Sequence, residues 1–149
     1  MQQDISQASN AYQKAANALT KSRDKSAKIL STKVSENMQE LGMEGGAFEV
    51  ALNSYSDDTF HSNGNEQIEF LVSANPGSPA KSLSKVASGG EISRISLAIQ
   101  VIAAESTRIP TLIFDEVDVG IGGCVAEMLG LELRQLAKHR QAICVTHLA

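Results

Sequence analysis

Apolar side chains recur along this chain with two different periods, and the change of period divides it. Residues 4–41 contain neither proline nor glycine and are rich in Ala, Lys, Gln, Ser and Glu, which predicts one long helix. Ile5, Tyr12 and Leu19 stand seven residues apart with Ala8 and Ala15 between them, a thin seam of the kind two packed helices share. The seam fades at Ser22 and Ser26. It resumes as Ala27, Leu30, Val34, Met38 and Leu41 at spacings of three and four, so the lower half is predicted to lie on a globular body. At about 1.5 Å per residue such a helix reaches beyond ~50 Å, longer than a small domain needs. It reads as the root of an arm; the plainer alternative is a long amphipathic helix with no helical partner.

Gly42, Gly45 and Gly46 stop the helix, and the period falls to two. Phe48, Val50 and Leu52, then Ile68, Phe70 and Val72, mark two half-buried strands of a hairpin. The polar loop between them, residues 53–66, carries a turn signal at Asn63-Gly64. Residues 74–79 hold two prolines and a glycine and are expected to be a linker. From Ser88 to Ala104 the helical period returns in Ile92, Ile95, Ile99 and Ile102. After Pro110 comes a short apolar run, Thr111 to Phe114, that stops at Asp115-Glu116 as a buried parallel strand stops at its C-terminal edge. A helix over 125–139 and a second apolar strand over 142–145 complete a strand, helix, strand unit. The expected organisation is an arm root over 1–41 and an α/β lobe over 42–149.

With 149 residues and 42% hydrophobic content, the chain can bury one real core. It has no run of about 18 apolar residues and is polar from Gln2 onward, so no membrane span and no secretory leader are expected and a cytoplasmic location is. Two cysteines, Cys124 and Cys144, make no disulfide framework and are expected to be reduced. A formal net charge of −4 offers no global attraction for a phosphate backbone, so any DNA contact has to be local. The densest basic stretch, Lys21, Arg23, Lys25 and Lys28, also holds Asp24 and reads as a solvated helix face.

The chemistry is concentrated in the second half. Ser88-Gly89-Gly90-Glu91 stands immediately before a helix. Paired glycines let a ligand approach the backbone, and the first N–H groups of a helix are unpaired donors at the positive end of its dipole. That makes an anion cradle to which Ser88 adds a hydroxyl; the same four residues also suit a plain helix cap with Glu91 as the capping-box partner. Asp115 and Glu116, at the end of a strand, suit Mg²⁺ chemistry, in which one carboxylate holds the hydrated metal and its neighbour polarises a water. Without further support they are two acidic residues capping a strand. Thr146-His147 closes the last strand at the same kind of edge. Cys144 and His147 are too few ligands for zinc, and His61 and His139 look solvated.

Order and spacing add meaning. Residues 86–91, then 112–116, then Asp118, then 145–147 resemble, in that order, the signature motif, Walker B motif, D-loop and H-loop of ABC-type ATPases. The stretches KVASGGEISRISLAIQV (85–101), LIFDEVDVG (112–120) and CVTHL (144–148) are similar more narrowly to the SMC-like RecN DNA-repair family, strongly over about 82–148 and loosely before that. The fold implied is the C-terminal part of a P-loop NTPase-like ABC/SMC head, with a coiled-coil-type helix and a β-hairpin. The resemblance assigns Asp115 to Mg²⁺ through water, Glu116 to activation of the attacking water and His147 to the γ-phosphate of ATP. Ser88, Gly89, Gly90 and Glu91 would face a nucleotide held by a second head, and Asp118 would communicate across that interface. The implied partners are the N-terminal half of the same protein, a second head in a homodimer, and DNA, in the cytoplasm at the nucleoid and without a membrane.

This chain departs from the family pattern at Gly122-Gly123-Cys124 and at Ala149, where a proline usually follows. More important, no Gly-x-x-x-x-Gly-Lys-Ser/Thr phosphate loop occurs in it. The chain is therefore expected to be a fragment that is inactive alone. Two other readings remain at this point: a non-catalytic interaction module, and another ABC-type ATPase such as a transporter subunit. Glu91, where transporters frequently have glutamine, and the arm-like helix argue against the latter.

Overall fold

A computed structural model describes residues 2–56, 59–86, 89–103, 109–115, 117–118 and 121–146. The expectations for Ser88, Glu116 and His147 therefore concern positions outside the described residues. Helix α1 runs Gln2–Glu40 and stops where the glycines begin. Gly42, at φ +74°, takes the left-handed step that a Cβ would resist. Its N–H donates to the Gln39 carbonyl at 3.2 Å and the Met43 N–H to the Met38 carbonyl at 3.0 Å, a Schellman close.

Strands β1 (Ala47–Ser54) and β2 (Glu66–Ser73) form the expected antiparallel hairpin, with Phe48 opposite Val72 and Val50 opposite Phe70. The outer edge of β1 is satisfied by α1. The Ser35 hydroxyl accepts the Phe48 N–H at 2.9 Å, the Ser31 hydroxyl accepts the Val50 N–H at 3.0 Å, and Gln39 Nε2 donates to the Gly46 carbonyl at 2.8 Å. Residues 74–79 are a tight reversal held by Ser73 Oγ, which donates to Asn75 and Ser78 carbonyls at 2.9 Å each. The reversal returns a short strand, β3 (Lys81–Ser82), to the side of β2, and a single 3-10 turn over Leu83–Lys85 follows. The pattern of apolar positions gave no sign of β3 because two residues show no period.

Helix α2 (Gly89–Ala103), strand β4 (Thr111–Asp115), helix α3 (Cys124–Ala137) and strand β5 (Gln141–Val145) make the α/β half, with β4 and β5 parallel. Val34 and Met38 of α1, with Leu41 just after it, meet Phe48, Val72, Ile95, Leu97, Ala98, Leu112, Phe114 and Leu129 in one core. The root of the long helix is thus part of the globular body.

Two expectations need correction. β4 is buried on one face only: Leu112 and Phe114 point inward, while Ile113 is 69% exposed. The second concerns His61, because residues 59–65 of the loop dock on α1. The Tyr12 hydroxyl donates to the His61 carbonyl and accepts the His61 N–H, both at 3.1 Å, and the Tyr12 ring meets Phe60 edge-on at 4.8 Å. His61, expected to be solvated, stacks on Tyr55 at 3.7 Å. Leu19 presses on Gly64, and Glu66, buried between them, accepts from Thr20 and pairs with Arg23 at 3.3 Å. The Tyr12 to Leu19 part of the seam is therefore occupied by the chain's own loop, with Ile5 exposed beyond it.

Two predictions follow from this packing. Ser35→Ala leaves the Phe48 N–H without its acceptor and should cost about 1–2 kcal/mol, read as a lower urea midpoint. The second concerns the α1–α3 junction, where Asn37 Nδ2 donates to Glu40 at 3.4 Å. Burial first, and Glu40 second, push the carboxyl of Glu132 above the usual carboxylate range against an opposing hydrogen bond from Asn37. A raised carboxylate means that the folded state holds the proton more tightly, so its contribution is favourable below about pH 4.5 and is lost as pH rises through the folded value. Glu132→Gln should accordingly raise the urea midpoint near about pH 7 and lose that advantage below about pH 4.5.

Candidate functional site

The parallel pairing of β4 and β5 sets the geometry. The register runs from Thr111 opposite Gln141 to Asp115 opposite Val145, so both strands end level. Neighbouring strands lie about 4.8 Å apart. Asp115 therefore stands beside the exit of β5, and the next residue there is Thr146. Asp115 is exposed at this edge, while Val117 is fully buried and anchors the turn that follows β4.

Asp118 is the residue that sequence reasoning described least well. It is 5% exposed, and the Thr146 hydroxyl donates to its Oδ2. A buried carboxylate needs such donors, because leaving one unpaired costs far more than the bond itself returns. The contact joins the turn after β4 to the segment after β5, across 28 residues of sequence. Neither residue's type nor the spacing announces it; the level strand ends do.

Cys144, on the inward face of β5, reports the charge at this edge. Burial, then Asp118, then Asp115 push its thiol above the ordinary range. Among the described residues no group of three or more His, Cys, Asp or Glu could hold a metal ion by itself. A hydrated Mg²⁺ asks for less than such a cage, namely one or two carboxylates with its waters retained, and exposed Asp115 meets that need.

Gly89 is exposed and Gly90 buried as α2 begins, so one of the two expected cradle glycines is accessible. Glu91, in the first turn, lines a cleft of about 220 Å³ with Val86, Lys81 and Lys85 and with the β2–β3 reversal. Asp115, Asp118 and Thr146 are brought together at the ends of β4 and β5.

The face of the parallel sheet away from the core is bare. Ile113 is 69% exposed, Ile143 43% and Val145 49%. Parallel sheets are ordinarily covered on both faces.

No family model matches the chain. It is 46% identical over 144 residues to the DNA repair protein RecN of Xylella fastidiosa, which covers 97% of this chain and 26% of that protein. It is 50% identical over 136 residues to the DNA repair protein RecN of Vibrio cholerae, covering 90% of this chain and 24% of that one. The chain therefore spans about a quarter of the length of these relatives. Among solved structures, the Smc head domain with an extended coiled coil from Pyrococcus furiosus, bound there to the C-terminal domain of ScpA, superposes with a TM-score of 0.60. That match covers 95% of this chain and 33% of the Smc chain at 21% identity, and it shows that this chain shares its fold with part of the Smc head domain structure. Among the described residues no helix is long and apolar enough to cross a membrane.

The charge at the acidic edge gives a chemical prediction. At about pH 8 Cys144 should be alkylated by iodoacetamide more slowly than exposed Cys124, because the thiolate is the nucleophile. Asp118→Asn should speed Cys144 and leave Cys124 unchanged; equal rates for the parent and variant at Cys144 would exclude this electrostatic account.

Proposed function

The chain belongs to the RecN family, and from that premise we propose that it supplies one part of the ATP site of an SMC-like ATPase acting in DNA repair. The observation that carries this reading is the level end of β4 and β5, which puts Asp115 beside the segment leading to His147. In the intact protein Asp115 holds Mg²⁺ through water, Glu116 takes the proton of the attacking water, and His147 contacts the γ-phosphate. Bound Mg²⁺ would neutralise charge building on the phosphoryl group. Ser88, Gly89, Gly90 and Glu91 face a nucleotide carried by a second head, a reading supported by the exposure of Gly89 at the start of α2. Asp118 belongs to the loop between the two, next to the interface of the heads.

The phosphate loop and the cover for Ile113, Ile143 and Val145 come, in this reading, from the N-terminal half of the same protein. The cycle of ATP binding and hydrolysis between two heads gates the arms around DNA, in the cytoplasm at the nucleoid. DNA contact is local, given the net charge of −4.

The test is complementation. This chain alone should show no ATP turnover. Mixed with an N-terminal half that carries the phosphate loop, it should recover turnover that Glu116→Gln abolishes. Binding of the two halves without turnover would favour an interaction module, and turnover by the chain alone would refute the shared site.

A further inference from the structure

The buried carboxylate next to the acidic edge has a role that the motif pattern leaves open. A residue that reached across to another head would be expected at the surface, yet Asp118 is 5% exposed and accepts a hydrogen bond from Thr146 of its own lobe. Val117, with no exposed surface, fixes the preceding residue in the core, so the turn has little freedom to swing Asp118 outward. The donor is equally constrained, since Thr146 follows directly on Val145, whose partner in the sheet is Asp115. A hydroxyl hydrogen bond to a desolvated carboxyl is costly to lose, because water is not there to replace it. It ties the turn after β4 to the segment after β5.

We propose that Thr146 is a positioning residue: by holding the buried Asp118 carboxyl, its hydroxyl fixes the end of β5 against residues 117–118, the positions next in sequence to His147 and Glu116. The inference rests on the ATPase reading above and adds to it a clamp between the D-loop and H-loop segments within one head. Thr146 touches neither the nucleotide nor the water; it acts through its neighbours. Thr146 immediately precedes His147 in the chain, so loss of the clamp removes a constraint one residue from it. A misplacement of about 1 Å at a reacting centre is enough to slow chemistry strongly, without a matching loss of substrate binding.

The experiment uses the full-length protein carrying this sequence, with Thr146→Val, which keeps the shape and removes the hydroxyl, Thr146→Ser, which keeps the hydroxyl, and Asp118→Asn. Thr146→Val should lower kcat for ATP by about tenfold or more with KM changed less than about twofold. Thr146→Ser should restore kcat, and Thr146→Val with Asp118→Asn together should be no slower than the worse single variant. Hydrogen exchange provides a readout that does not depend on turnover: Thr146→Val should speed exchange at the amides around 117–118 and 145–147 by about fivefold, and not in α1. Unchanged exchange at 117–118, an unchanged kcat, or multiplicative effects of the two substitutions would overturn the clamp. If the full-length protein shows no ATP turnover, the ATPase reading fails, and if Glu116→Gln leaves turnover intact, the proposed site fails; if Glu116→Gln abolishes turnover and Thr146→Val does not alter it, the clamp alone fails.

Discussion

A strand at the edge of a sheet presents N–H and C=O groups that have to find partners, and in this chain a helix provides them. Ser31, Ser35 and Gln39 lie four residues apart along α1, on one line, and bond the outer edge of β1 at Val50, Phe48 and Gly46. The same turns send Val34, Met38 and Leu41 into the core, each with no exposed surface. Rotation or sliding of α1 would break both sets of contacts together. The direction of the long helix is therefore set by the head, and a strain at its far end is delivered to the body that carries β4, β5 and α2. The arrangement also removes an exposed strand edge, which would otherwise invite pairing with another chain.

Much of this was legible in the order of apolar positions. The long helix, the hairpin, the two later helices and the parallel strands fall within a few residues of their sequence-based positions, because each repeats its period over several turns or pairs. What escaped has a common cause, since short or isolated features carry no period. β3 is two residues long. His61 looked solvated because its sequence neighbours are mostly polar, and its contacts with Tyr12 and Tyr55 exist only because the hairpin stands beside α1. Ile113 illustrates the opposite error. An apolar run of four reads as a strand buried on both faces, and the sequence cannot tell whether the cover for the second face is in the same chain.

The site was legible in kind and less so in arrangement. Asp115 and Gly89 were singled out by residue type and by their place at the ends of elements, and both are accessible there. Asp118 was found by its place after the acidic pair; its burial and its hydrogen bond from the Thr146 hydroxyl were not legible there. Threonine before histidine carries no chemical signal in isolation. Its importance arises only when parallel register brings residues 28 apart in sequence to the same edge.

Electrostatics explains why an edge of this composition belongs with a second piece of protein. Asp115 and Asp118 share the edge, and their charges raise the thiol of Cys144. The chain as a whole carries a net charge of −4, so a nucleotide triphosphate approaching this edge meets repulsion that one serine and a helix N-terminus do not offset. A site built to work on phosphates must take its positive charge from a metal ion and from a cationic loop. The sheet next to that edge is bare on one face, at Ile113, Ile143 and Val145, so the surface through which such a loop would be delivered is apolar. Burial of that face offers a source of association energy that is independent of the nucleotide. Two halves could then assemble first and gain their affinity for ATP as a consequence.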